Sequence, residues 1–336
     1  MTPEAPALRV GVIGCGRVFE RFHLPALARE PGVRLIAVSD ADPARLAWAR
    51  TRLPECLAVA SAGELLAARP DAVLLLTPPP THAPLAREAL AGGIAVLVEK
   101  PMALSVDEAA AMVGAARTAP ARLQVGFTRR FREPYRLLRE ALGSSSAPAW
   151  VSFELAFPTA PWGAHDGFLG DDSRGGGVLD DVFSHQADLL RCVLGRELRR
   201  VRVAAHHAGR AEVEVELDDG LVARCVAAHG SYTELLQVGV ADGTALTASG
   251  SAFRRRRSGG GRFAARLADR VALARDKLFG RTGATAESFA QQLRDFVGAV
   301  RGAPATGATG DDGYAAVAAV AACRRSVKTG TWERVA

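Results

Sequence analysis

The tripeptide Glu99-Lys100-Pro101 places an amine directly after a predicted strand at residues 94–98. Ligands of open α/β sheets bind outside the carboxyl ends of the strands. Pro101 fixes its own φ and restricts Lys100 to extended conformations, which limits the directions that the lysine can take. A cation held at this edge can stabilise negative charge that develops on a reacting oxygen. Taken alone, the tripeptide is equally well explained by a lysine at the surface end of a strand.

A second group of reactive side chains follows the triglycine at residues 175–177. Asp181 and His185 are four residues apart, so on a helix they share one face. A histidine beside a carboxylate can accept a proton near neutral pH. Asp188 is an alternative partner that could orient the imidazole. We expect an amphipathic helix here, and a His–Asp pair that only stabilises this helix is the competing interpretation.

The elements that must position Lys100 begin with a strand at residues 8–13, a glycine turn and a helix, and a second strand at residues 33–39 follows. This order is typical of a dinucleotide-binding βαβ unit. Gly14 and Gly16 permit a tight turn and close approach of a pyrophosphate at the helix N-terminus. Asp40 is placed to accept hydrogen bonds from an adenosine ribose and repels a 2′-phosphate, so NAD is favoured and NADP stays open. Phe19 replaces the third small residue of the motif, so we expect the helix to lie farther from the strand.

The alternation of strands and helices continues to residue 126. Strands at 71–76, 94–98 and 122–126 alternate with helices at 81–91 and 105–117, which predicts a doubly wound parallel sheet in a domain of residues 1–126. His82 is expected to begin a helix and to make a structural hydrogen bond rather than to act as a catalyst. The predicted cofactor-binding residues are Gly14, Gly16, Arg17, Val18, Asp40, Thr77, Pro78, His82, Glu99 and Lys100.

The pattern changes in the second domain, residues 127–336. Residues 212–217 alternate with period two, turn at 218–220 and return at 221–227, and a second hairpin joins 235–240 to 244–249. Glu212, Glu214 and Glu216 lie on one solvated face. This indicates an α+β domain with an open, mainly antiparallel sheet that has one wet side or one side used for assembly. Helices at 286–301 and 311–328 end the chain and are able to pack back on the first domain.

Composition narrows the class of protein. The chain has 336 residues, of which 49% are hydrophobic, and a formal net charge of +6. Its five cysteines are odd in number and lack Cys-x-x-Cys spacing, which favours reduced thiols in the cytoplasm over a disulfide framework or a metal site. We expect no signal peptide, and no apolar stretch approaches the roughly 20 residues of a membrane span.

A basic segment at residues 251–283 carries a charge of +8, so the rest of the chain carries −2. The segment is interpreted either as a solvated loop and helix or as a contact for an anionic substrate. Nucleic acid is not expected as a partner, because aromatic residues are sparse among the basic ones and no recognised motif accompanies them.

Four motifs together give the chain a recognisable resemblance over nearly its whole length. GVIGCGRV, VLVEKPMAL, VGFTRRFREPY and GGGVLDDVFSHQADLL resemble the Gfo/Idh/MocA family, and the combination of the second with the fourth is the specific part. The resemblance implies a Rossmann domain followed by a substrate domain on an open antiparallel sheet. It also implies NAD(P)-dependent oxidation or reduction of sugars, sugar derivatives or polyols, in dimers or tetramers formed through that sheet. Lys100, Asp181 and His185 match the family's catalytic lysine, acid and histidine.

The resemblance suggests roles and also has departures. We predict that His185 moves the proton, oriented by Asp181 or Asp188, and that Lys100 stabilises the developing alkoxide, although the lysine and histidine could exchange roles. Thr128 stands where the family often has Asn. Phe183 stands where Gly commonly precedes Ser-His and is expected to reshape the pocket for a small-molecule substrate. Weaker candidates for substrate contact are Arg130, Trp162 and Phe183.

Two other functions fit the same residues. One is a redox-silent protein that binds a dinucleotide and acts as a sensor or scaffold. The other is a lyase or glycosidase that oxidises its substrate transiently and regenerates NAD within one turnover.

Overall fold

The computed structural model describes residues 6–145, 147–158, 177–250, 252–257 and 281–335, of which residues 281–283 are described by their backbone alone. The chain divides into two compact units. The first comprises Met1–Phe127 and Phe289–Tyr314, and the second comprises Thr128–Ser288 and Ala315–Ala336. Most of the basic segment at 251–283 lies outside the described residues.

The described secondary structure follows the order of the chain. The strands are β1 (Leu8–Ile13), β2 (Val33–Ser39), β3 (Leu57–Val59), β4 (Ala72–Leu75), β5 (Ala95–Val98), β6 (Leu123–Val125), β7 (Pro148–Phe157), β8 (Leu198–His207), β9 (Arg210–Leu217), β10 (Val222–His229), β11 (Thr233–Val240), β12 (Thr244–Ser249), β13 (Phe253–Arg257), β14 (Ala308–Thr309) and β15 (Glu333–Arg334). The α-helices are α1 (Leu24–Leu27), α2 (Pro43–Arg52), α3 (Ala62–Ala67), α4 (His82–Ala91), α5 (Val106–Thr118), α6 (Glu133–Gly143), α7 (Ser184–Leu194), α8 (Arg281–Val300) and α9 (Gly310–Thr329).

The first unit is built on a seven-stranded sheet in the order β14-β6-β5-β4-β1-β2-β3. Neighbouring strands are parallel except for β14, which runs antiparallel to β6. Every residue of β4 and β5 is buried, as expected for strands covered on both faces. Leu293 and Phe296 of α8 pack into the core beside β1 and β4. The predicted Rossmann fold is confirmed.

Local signals explain where the helices of this unit begin. Ser105 caps α5 because its hydroxyl oxygen accepts a hydrogen bond from the Glu108 amide. In turn, the Glu108 carboxylate accepts a hydrogen bond from the Ser105 amide. Ser61 and Glu64 form the same capping box at α3. These two capping boxes fix the residues at which α5 and α3 begin, and both helices lie in connections between strands of the sheet.

The second unit contains an eight-stranded sheet in the order β13-β12-β11-β7-β10-β9-β8-β15. The two predicted hairpins are confirmed as β9–β10 and β11–β12, with Gly220 and Gly243 at positive φ in their turns. Among the described strands of this sheet, β7 and β10 form the one parallel pair. The open, mainly antiparallel sheet predicted for this domain is confirmed.

One face of this sheet carries ion pairs between neighbouring strands. Glu214 and Glu216 of β9 pair with Arg202 and Arg200 of β8. The Trp332 ring lies about 5.5 Å from both guanidinium carbons. Side chains that alternate with the glutamates along β9 are buried. The predicted alternation is therefore present, with the charged face organised into pairs.

The segment after the triglycine differs from the amphipathic helix that the sequence predicts. A π-helical turn, Leu179–Phe183, leads directly into α7, and all residues from Val178 to Leu190 are buried. The reason is that this segment contacts β7, β10 and α6, so no face is left for solvent. The π-turn also changes the spacing on which the shared face of Asp181 and His185 was predicted.

None of the helices in the described ranges is both long and apolar enough to cross a lipid bilayer. Within those ranges, no group of three or more His, Cys, Asp or Glu side chains is arranged to hold a metal ion.

Candidate functional site

The glycine turn after β1 leaves room for a ligand at the start of a helix. Gly14 has a φ of +100°, and a Cβ there would lie 2.8 Å from the backbone carbonyl of Leu76. A Cβ on Gly16 would meet no atom within 4 Å, so the outer side of the turn is open. Arg17 and Val18 begin a helical segment that continues through a π-helical turn, Phe19–His23, into α1. This cradle suits a pyrophosphate at a helix N-terminus.

Asp40, at the end of β2, lies against the same turn. Its Oδ2 accepts a hydrogen bond from the Cys15 amide at 2.7 Å, and its Oδ1 accepts one from the Asp42 amide at 2.9 Å. Burial raises the pKa of the Cys15 thiol to about 12, with help from Asp40, so this thiol is not a nucleophile at neutral pH. Asp40 is thus placed to present its remaining lone pairs to a ribose.

Arg45 is a further residue at this turn that the sequence interpretation missed. Its Nε donates to the Cys15 carbonyl at 2.8 Å, and its guanidinium carbon lies 4.5 Å from the centre of the Trp48 ring. Arg45 also pairs with Glu20 at 3.0 Å. Its position on the helix after Asp40 is the only signal that the sequence offered.

Thr77, Pro78 and His82 follow β4. The buried His82 ring has its Nε2 2.7 Å from the Thr77 carbonyl oxygen and its Nδ1 2.9 Å from the Pro101 carbonyl oxygen. Burial lowers the pKa of His82. The imidazole therefore joins the segments that follow β4 and β5. A contact between His82 and a cofactor stays a prediction.

Glu99 and Lys100 follow β5 directly, and the Lys100–Pro101 peptide bond is cis. The Lys100 amide donates to Glu99 Oε2 at 3.2 Å, and Glu99 Oε1 lies 3.1 Å from Nε2 of the buried His23. The sequence interpretation missed His23 as a site residue, although it lies in the helix predicted after the glycine turn. Glu99 thus joins the end of β5 to the π-helical turn that precedes α1.

The candidate acid–base residues lie in the second unit. Asp181 Oδ2 is 3.1 Å from Nε2 of His229, the last residue of β10. The Phe157 ring contacts both imidazoles, with centroid distances of 6.2 Å to His185 and 6.4 Å to His229. His229 was not predicted, because 48 residues separate it from Asp181 and no motif marks it. The structure therefore places two histidines against a single phenylalanine, and Asp181 contacts one of these histidines.

Arg130 and Asp188 form a buried ion pair. Arg130 Nε donates to both carboxylate oxygens at 2.9 Å, and Nη2 donates to Oδ1 at 2.6 Å. Phe183 is also fully buried, which favours packing over contact with a substrate for this residue. Trp162 lies outside the described residues. That Asp188 orients His185 and that Arg130 contacts substrate stay predictions.

A charged cluster beside this segment was also missed. The fully buried Glu234 accepts hydrogen bonds from Arg129 at 3.0 Å and from the Tyr135 hydroxyl at 2.9 Å, and it also contacts Arg132 and Tyr232. Burial by itself raises the pKa of Glu234, but the two guanidinium groups outweigh it and lower the pKa to about 2. The signal lay in the motif TRRFREPY, in which the sequence interpretation singled out only Thr128 and Arg130.

Comparisons with known proteins agree with this geometry. A family model described as "Oxidoreductase family, NAD-binding Rossmann fold" matches residues 8–127. The inositol 2-dehydrogenase of Ralstonia nicotianae is 29% identical over 350 residues, covering 98% of this chain and 96% of the relative.

Two solved structures share the fold. The WlbA dehydrogenase of Bordetella pertussis, in complex with NADH and UDP-GlcNAcA, has a TM-score of 0.82 at 20% identity and covers 98% of both chains. The myo-inositol dehydrogenase of Lactobacillus casei, in complex with NAD(H) and myo-inositol, has a TM-score of 0.75 at 19% identity over 98% of this chain and 96% of the other. The predicted NAD cofactor is confirmed by the family match, whose residues include the whole glycine turn and Asp40. Residues 8–127 thus match the NAD-binding Rossmann domain of the Gfo/Idh/MocA oxidoreductase family, and the chain as a whole is similar to inositol 2-dehydrogenase.

Proposed function

We propose that this oxidoreductase transfers a hydride between NAD and a secondary hydroxyl or carbonyl carbon of a polyol, sugar or sugar derivative. The observation that carries the proposal is the end-to-end relationship to inositol 2-dehydrogenase, with Glu99-Lys100-Pro101 placed at the carboxyl end of β5. In open α/β sheets, this edge is where ligands bind.

NAD has a suitable seat in the first unit. The open side of Gly16 and the helix start at Arg17 and Val18 receive the pyrophosphate, and Asp40 accepts hydrogen bonds from the adenosine ribose. Thr77, Pro78 and Glu99 border the nicotinamide half of the site. When bound, NAD supplies the hydride acceptor or donor, and the protein supplies position and charge.

The chain's own residues move the proton and hold the charge. His185 accepts the hydroxyl proton during oxidation and returns it during reduction. Lys100 stabilises the negative charge of a developing alkoxide. Asp181 supports the proton transfer as a hydrogen-bond acceptor, and its contact with His229 keeps one of its oxygens in place. These three roles rest on the family resemblance together with the residue types at these positions.

An anionic sugar derivative is a second candidate substrate. Arg254, Arg255 and Arg256 of β13 place three cationic side chains on one edge strand of the second sheet. A structural relative was solved with a UDP-linked sugar acid. Weaker binding of such a substrate at higher salt, with no effect of salt on a neutral polyol, would favour this candidate.

The assembly and the cellular location are part of the same proposal. We infer homo-oligomers formed through the outer face of the second sheet, where Trp150 and Val222 are exposed large hydrophobic side chains. Light scattering of the wild type and of Trp150→Glu measures this. A cytoplasmic location is inferred from the predicted reduced thiols.

The test is a substrate screen with NAD. Purified protein is incubated with NAD and inositols, other polyols, free sugars or nucleotide sugars, and absorbance of the reduced nicotinamide is followed. We expect turnover with one ligand class and a loss of about 10²-fold or more in kcat for Lys100→Ala and for His185→Ala. Binding of NAD without turnover on any ligand would favour the sensor or scaffold. A product formed without net change in absorbance would favour the lyase or glycosidase.

A further inference from the structure

His82 lies between two groups that only accept hydrogen bonds. Its Nε2 is 2.7 Å from the Thr77 carbonyl oxygen, and its Nδ1 is 2.9 Å from the Pro101 carbonyl oxygen. A neutral imidazole carries one N–H and can donate to only one of these oxygens, which leaves a bare nitrogen facing the other. An imidazolium donates to both. The observed geometry therefore satisfies His82 fully only when both ring nitrogens carry protons.

The charged groups around His82 affect whether its ring carries the second proton. Glu99, at the end of β5, attracts the protonated form, while burial opposes it and keeps the pKa of His82 below its ordinary value of 6.5. Glu99 itself contacts His23 and the amide of Lys100. From the neighbouring α5, the Glu108 carboxylate is turned to the amides of Leu104 and Ser105. Glu99 is thus the acidic partner of this imidazole, and His23 is the other histidine that Glu99 contacts.

The two carbonyls belong to the edge of the sheet where NAD binds. Thr77 lies two residues after β4, and Pro101 lies three residues after β5, directly beyond Lys100. The strands are adjacent and parallel in the sheet. A bond from His82 to each carbonyl therefore ties together the segments that follow two neighbouring strands.

We propose that His82 is a positioning residue whose doubly protonated ring fixes the Lys100–Pro101 segment to the end of β4, and that NAD binds more tightly in this form. Removing the proton releases one of the two carbonyls, which gives the segment after β5 a second conformation that competes with binding. The loss of one buried hydrogen bond corresponds to about fivefold in an equilibrium constant. Because burial lowers the pKa of His82, the gain in affinity lies on the acidic side of pH 6.5.

The first experiment measures NAD affinity of the full chain by calorimetry from about pH 5 to about pH 8. For the wild type, we expect Kd to fall about fivefold as the pH falls through this range. His82→Gln keeps one donor nitrogen and lacks a titrating ring. Its Kd for NAD should therefore stay at the value that the wild type has at the basic end of the range, at every pH. His207→Gln, an exposed histidine of the second unit, is the control and should keep the wild-type profile.

A second measurement requires no variant with altered binding. In the wild-type chain labelled with ¹⁵N-histidine, the His82 ring is identified by the resonance that is lost in His82→Gln. We expect both ring nitrogens to carry slowly exchanging protons at the acidic end of the range and only one at the basic end.

Two results would overturn the proposal. One is a His82 ring that keeps a single tautomer at every pH. The other is a pH-dependent gain in NAD affinity that survives in His82→Gln and disappears in His23→Gln, which would assign the effect to His23. Neither result touches the proposed hydride transfer, because NAD binding and ring protonation are measured without substrate. A wild type that fails to bind NAD at all would instead contradict the assignment of the cofactor.

Discussion

The two glycines of the turn after β1 should respond differently to the same substitution. Gly14→Ala puts a side chain at a φ of +100°, with its Cβ 2.8 Å from the Leu76 backbone. The backbone strain costs about 1–3 kcal/mol, and the contact with main-chain atoms adds to it because they cannot rotate away. We expect a loss of roughly 3 kcal/mol in the free energy of unfolding, or about 10 °C in Tm.

Gly16→Ala is the matched substitution, and it should not lower the free energy of unfolding through strain or close contact. Its Cβ would meet no atom within 4 Å, so folding should stay within about 0.5 kcal/mol of wild type. The added methyl instead occupies the side that the pyrophosphate approaches, so NAD affinity should fall about tenfold or more. Differential scanning calorimetry gives the stability of both variants, and titration with NAD gives their affinities.

This reasoning has a clear point of failure. If Gly16→Ala bound NAD as tightly as wild type, the open side of the turn would not be the pyrophosphate seat. If Gly14→Ala were as stable as wild type, the close approach of Leu76 to the turn would be wrong. Circular dichroism of both variants shows whether a lost affinity reflects an unfolded first unit.

Three further predictions concern single residues. Asp40→Ser should weaken NAD binding and lower the ratio of the Kd for NADP to the Kd for NAD, because a carboxylate no longer repels the 2′-phosphate. An unchanged ratio would contradict this role of Asp40. Glu234→Gln should cost about 3–5 kcal/mol in chemical denaturation, since two buried guanidiniums lose their counter-charge, and near-wild-type stability would contradict the pairing. The pKa of Glu234 is lowered to about 2, so its contribution to stability is present above the ordinary value of 4.5 and is lost as pH falls from 4.5 towards 2. His229→Phe should lower kcat and change KM less, because Asp181 loses a hydrogen-bond partner. If kcat and KM both stayed at their wild-type values, His229 would have no part in the mechanism.

The sequence predicted those parts of the molecule that depend on local patterns. Strands 8–13 and 33–39 are observed with the predicted bounds, because each is a short apolar run between turn signals. The hairpins of the second sheet were predicted for the same reason. The parallel pairing of β7 with β10 joins segments about 70 residues apart, and nothing local in either strand specifies it.

The predictions for the site also separate into features set by local sequence and features set by tertiary contacts. The predictions for Gly14, Asp40 and Lys100 rest on their neighbours in sequence, which define the turn or strand end where each residue lies. Asp181 contacts a histidine on a distant strand, and the burial of residues 178–190 depends on α6, β7 and β10, which pack against this segment. Such contacts arise from the tertiary fold, so periodicity within the helix could not reveal them.

The core of the first unit is closed by residues close to the end of the chain. Leu293, Phe296 and Val297 pack among side chains of β1, β2 and β4, and β14 adds a strand beside β6. During synthesis, the dinucleotide-binding strands therefore leave the ribosome long before the helix that covers them. Until residue 300 has emerged, this apolar surface has to be shielded by other means. The sheet that is first in the sequence is thus among the last parts of the protein to become complete, which makes its exposed strands a natural target for chaperones on the nascent chain.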